Sequence, residues 1–66
     1  MTFNEWVTHV SSKKIPSWSR WGQFLVNEIS VARPDLGIQL TSDKEYDCFY
    51  RNDKVPAFFE WAERNW

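Results

Sequence analysis

A single cysteine, Cys48, stands in a chain of 66 residues. One thiol cannot close a disulfide within the chain. With His9 the only histidine, there is also no Cys and His set for a structural zinc. A domain this short buries only about 60% of its unfolded surface and is marginal without staples. Packing must therefore do the work that cross-links do elsewhere. Five Trp, five Phe and two Tyr are available for it. Each buried aromatic ring removes about 150–250 Å² from water.

The apolar residues recur with helical period in three stretches. The first begins "MTFNEW". Thr2 followed three residues later by Glu5 is a capping-box pattern, and Met1 is placed to staple onto Trp6. Phe3, Trp6, Val7 and Val10 form one stripe, which predicts a helix over about 3–12. The second stretch follows Pro16, with Ser17 as the expected N-cap. Trp18, Trp21, Leu25, Ile29 and Ala32 share a face, and Gly22 beside them admits a second backbone. Pro34 disfavours helical geometry at Arg33, so this helix is predicted over about 17–33.

Pro34 can itself open a short helix, near 34–40, although Gly37 weakens it by about 1 kcal/mol relative to Ala. Residues 41–55 read as an irregular loop with one helical turn, its aromatics tucked under the core. Pro56 starts a last helix over about 56–65, with Val55, Phe58, Phe59, Ala62 and Trp66 on one face. The expected fold class is all-α: one domain over 1–66, a compact bundle of three main helices and short turns.

Several functions find little support. No apolar run approaches the roughly 18 residues of a membrane span. The lysines Lys13 and Lys14 follow the first apolar residues, the reverse of a signal peptide. A lone thiol fits a reducing cytoplasm. Asp43, Glu45 and Asp47 occupy the first, third and fifth places of a calcium loop. However, Cys48 stands where that loop needs Gly, and Lys54 where it needs Glu. Cys48 with His9 as base would be a nucleophilic pair, but no Gly-rich oxyanion turn accompanies them. No enzyme, cofactor or metal is expected.

Three apolar residues sit off the expected core faces: Phe24 and Val31 on the second helix and Trp61 on the last. One explanation is a wide core stripe, since a middle helix can bury two faces. The other is an exposed apolar patch, the mark of a protein interface, where Trp often dominates the energy. On the second explanation Phe24, Val31 and Trp61 anchor a protein partner or a second copy, with Asp43, Glu45 and Asp47 beside them. The expected function is thus a small non-enzymatic module acting by stoichiometric contact with a larger protein.

Two alternatives use charge. The net charge is −1. Residues 1–33 carry four bases against two acids, and residues 34–66 carry four bases against seven acids. Lys13, Lys14, Trp18, Arg20 and Trp21 mix bases with rings, as binders of single-stranded nucleic acid do. Asp43, Glu45, Asp47 and Asp53 could instead mimic a nucleic acid and block a protein that binds one.

The tracts "RWGQFLVNEISVARPDL", "CFY" and "VPAFFEWAERNW" resemble a pattern in short uncharacterised bacterial and phage proteins. In that pattern an Arg20-Trp21-Gly22-Gln23-like start of a helix precedes Arg33-Pro34-Asp35-Leu36. A Phe49-Tyr50-like pair and a Pro56-Ala57-Phe58-like helix start follow. The likeness spans about residues 17–66, and Lys44 to Cys48 departs from the shorter, more Asp-Pro-like loop of the pattern. The resemblance implies no activity, cofactor or catalytic residue. It does suggest a phage-derived inhibitor or adaptor, working in the host cytoplasm by occluding a larger protein.

Overall fold

A computed structural model describes residues 1–15, 17 and 19–66 of the chain. Among these residues there are four α-helices and no strand: α1 Phe3–Ser12, α2 Trp21–Ala32, α3 Pro34–Ser42 and α4 Val55–Asn65. A single 3-10 turn, Asn52–Lys54, leads into α4. The all-α class is as expected, and the molecule measures 28 × 25 × 19 Å.

Helix α1 starts on the capping box. The Thr2 hydroxyl accepts the Glu5 N–H at 3.1 Å, and the Glu5 carboxylate accepts the Thr2 N–H at 2.8 Å. Met1 stays largely exposed, so the expected staple buries little. Trp6 and Val10 are fully buried. The Trp6 ring is enclosed by other rings, with Phe58, Phe59 and Trp66 at 6.2, 6.1 and 5.5 Å between centroids. Its Nε1 is the one buried side-chain polar atom without a hydrogen-bond partner among the described residues. An unmade bond of this kind costs about 1–3 kcal/mol, which the apolar burial of the ring must outweigh.

Helix α2 begins at Trp21, later than expected, and Pro16 and Trp18 lie outside the described residues. The expected cap, Ser17, is not used. Arg20 holds the N-cap position without a side-chain bond. The missing acceptor comes from far along the chain: Asn52 Oδ1 accepts the Gly22 N–H at 3.0 Å. The helix therefore starts where a distant residue can satisfy it, and local sequence does not show this. Gly22 also admits a neighbouring backbone. A Cβ there would lie 2.0 Å from the Cys48 carbonyl oxygen.

Arg33 ends α2 and opens α3. Its N–H donates to the Ile29 carbonyl at 2.7 Å, while its own carbonyl accepts from Leu36 and Gly37. The non-helical backbone at Arg33 (φ −138°, ψ 84°) follows from Pro34. Gly37 then lets α3 fold back against α2, since a Cβ there would lie 2.5 Å from Ser30 Oγ. Thus the glycine that weakens α3 as an isolated helix is required where the two helices touch. Helix α3 runs two residues past the expected end.

Candidate functional site

The structure corrects two of the three expected apolar anchors. Trp61 is 2% exposed and Phe24 8% exposed in the single chain. Trp61 stacks on Phe58 and on Tyr46, at 6.3 and 6.4 Å between centroids. Tyr46 arrives from the segment read as irregular, and that segment widens the face α4 must bury. Phe24 stacks on Trp21 at 5.7 Å, so α2 buries a wide stripe. Both rings belong to the core, and neither is free to anchor a partner. Val31 alone of the three is exposed, at 78%.

The three acidic residues do not act as one group. Asp43 caps the end of α3. Glu45 is exposed. Asp47 turns inward on its own segment, where Oδ1 accepts the Phe49 N–H at 3.0 Å. That side-chain turn breaks the segment between Cys48, which is buried, and Tyr50, which is exposed. The bases expected to hold nucleic acid are also divided. Lys13 is paired with Glu28 at 2.6 Å and ties the end of α1 to α2. Lys14 is exposed, and Trp18 lies outside the described residues. Cys48 is fully buried, with its thiol donating to the Gly22 carbonyl at 3.6 Å. Burial pushes this thiol up to about 12, which keeps it protonated and unreactive at neutral pH.

A different arrangement emerges around Tyr50, which is 76% exposed. Its ring packs edge-on against Phe49 at 4.8 Å. Two shallow clefts share Tyr50 as a wall. One, of about 230 Å³, is completed by Arg20, Gln23 and Phe49. The other, of about 310 Å³, is completed by Lys44, Asp47, Arg51 and Lys54. Arg20 Nη1 donates to the Tyr50 carbonyl at 3.4 Å, which joins the start of α2 to this segment. Lys54 Nζ donates to the Lys44 carbonyl at 3.2 Å. Arg51 grips Asp53 with two bonds, 3.0 and 2.9 Å. These bonds raise the guanidinium above its ordinary value and hold the Asp53 carboxylate below its own.

The segment carrying Tyr50 is held in place from beneath. The Gly22–Asn52 bond, the buried Cys48 and the close approach of its carbonyl to Gly22 all fix it to α2. Sequence reasoning passed over Tyr50, Gln23, Lys44, Arg51 and Lys54. The available signal was the aspartate two residues before Phe49, which marks a tight turn and thereby releases Tyr50 from the core. Against protein-family models, curated proteins and solved structures alike, the chain has no match. No helix among the described residues is long and apolar enough to cross a membrane.

Proposed function

We propose that the chain is a small non-enzymatic binding module that works by stoichiometric contact. Its contact surface is the face around Tyr50, and its partner presents negative charge there. The observation that carries this reading is an exposed tyrosine that borders two clefts lined by four cationic side chains. Tyrosine and arginine are favoured at contact surfaces, and a backbone already anchored to α2 beneath the ring loses little freedom on binding. The reduced, buried thiol of Cys48 accords with a cytoplasmic setting.

Amide chemical-shift mapping tests the reading. The full chain is titrated with two anionic probes, a polyglutamate peptide and a short oligothymidylate. Shifts should centre on Gln23 and on Phe49 to Lys54 with at least one probe. If neither probe moves these amides, the Tyr50 face is not the contact surface.

A protein contact elsewhere is favoured by a separate observation. Val31 and Ile38 are 78% and 73% exposed, and each follows directly on Ser30 or Gly37, the pair where α2 and α3 touch. Apolar side chains left in water mark surfaces that other proteins cover. In this second reading a larger protein, or a second copy, sits over that elbow, and the chain acts by occlusion as an inhibitor or adaptor. Light scattering on the wild type and on Val31→Asp with Ile38→Asp separates the cases. A dimer that the double variant dissolves supports self-contact, whereas identical monomers remove the second copy as the partner.

A further inference from the structure

The charge on the Tyr50 face opposes that of the chain. Its two clefts are lined by Arg20, Lys44, Arg51 and Lys54 against Asp47 alone, four positive and one negative, or +3. Counting Asp53, which grips Arg51, the balance is still +2. The whole chain carries −1. Asp47 has already committed an oxygen to the Phe49 N–H. The cations also line both clefts that Tyr50 borders, with Arg20 in one and Lys44, Arg51 and Lys54 in the other.

In a single strand a phosphate precedes and follows every base. An exposed ring on a residue that borders two positively lined clefts suits that order. Binders of single strands work through such rings, because every base has a face to stack and every backbone unit a charge to neutralise. We propose that the Tyr50 face binds single-stranded nucleic acid. One base stacks on Tyr50, and the flanking phosphates reach Arg20 on one side and Lys44 with Lys54 on the other. This rests on the reading of Tyr50 as the contact surface.

A duplex is a poorer fit. Its bases are stacked inside and offer the ring no free face, so it would gain only the charge contacts. An acidic protein segment would likewise use the cations but would bring no base to stack on the ring. The molecule is at most 28 Å across, so the face holds only a few nucleotides, near the lower end of the roughly 4–16 covered by one binding domain.

The test is fluorescence anisotropy of a labelled oligothymidylate of about twelve nucleotides, titrated with the full chain at several salt concentrations. Saturable binding is expected, at least about tenfold tighter than to a duplex of the same length, because stacking on a ring contributes that much. With about three phosphates neutralised, the slope of log affinity against log salt should be about −2. Tyr50→Ala should weaken binding about tenfold or more, while Tyr50→Phe, which keeps the ring, should bind as the wild type does. Lys44→Gln with Lys54→Gln should flatten the salt slope by about 1.4.

Duplex bound as tightly as the single strand, or Tyr50→Ala without effect, overturns the stacking proposal. If polyglutamate shifts the Tyr50 amides and the oligonucleotide binds nowhere, the nucleic acid is wrong and the contact face stands. If neither does, both fall together.

Discussion

The meeting of α1 with α4 and the meeting of residues 43–54 with α2 are held by different means. The first is a nest of rings: Trp6 is buried among Phe58, Phe59 and Trp66, with Phe3 against Trp66 at 5.9 Å. The second is held by backbone proximity and polar bonds, namely Gly22 against the Cys48 carbonyl and the Gly22 N–H on Asn52. Rings need only be buried together, and many arrangements serve. A backbone contact with no room for a methyl group admits one arrangement. The first region therefore stabilises through burial without dictating one geometry, whereas the second fixes where Tyr50 stands.

Breaking the ring nest should have the largest effect. Trp6→Ala should cost about 3–5 kcal/mol. A chain of this size has a total of about 3–10 kcal/mol, so the variant should lose a large part of it, read as a steep fall in the urea midpoint followed by circular dichroism. Gly22→Ala acts on the other region. Its methyl group meets backbone, which cannot swing away as a side chain can. It should lower stability by about 1–3 kcal/mol in urea titration and displace the amides of residues 48–52.

Asn52→Ala sharpens the comparison by removing the bond and leaving the space. The loss should be about 1 kcal/mol, the size of an N-cap, with exchange at the start of α2 rising while Trp6 stays protected. The smallest effect is expected at acid pH. Glu5 is held below its ordinary 4.5, first by the Thr2 N–H and then by the Thr2 hydroxyl. A lowered folded value means that the capping box contributes stability above pH 4.5. That contribution is lost as pH falls through the folded value. Helix α1 should fray at its start over that range. Glu5→Gln, which has no carboxylate to titrate, should remove the pH dependence measured by amide exchange, whereas Thr2→Ala, which keeps the N–H, should only weaken it.

Periodicity made much of the ring region legible. The Thr2–Glu5 box, the bounds of α1 and the burial of Trp6, Val10, Leu25, Ile29 and Phe58 follow from local spacing. Trp61 and Phe24 did not follow, because their neighbours Tyr46 and Trp21 widen each helix's buried face, and a helical wheel carries no information about what covers it. The start of α2 was misplaced for a related reason, since its cap comes from Asn52, thirty residues away. Gly22 did announce a close approach, although not the partner. Tyr50 departs from the expectation that the aromatics of residues 41–55 tuck under the core, because the Asp47 turn leaves its ring facing water.

The division of rings into core and contact is tested most directly by urea unfolding of Trp61→Ala and Tyr50→Ala beside the wild type. Trp61→Ala should lose about 3–5 kcal/mol, as a buried ring does. Tyr50→Ala should stay within about 0.5 kcal/mol, as an exposed side chain does. A stable Trp61→Ala, or a Tyr50→Ala that unfolds with it, would contradict the assignment of these two rings.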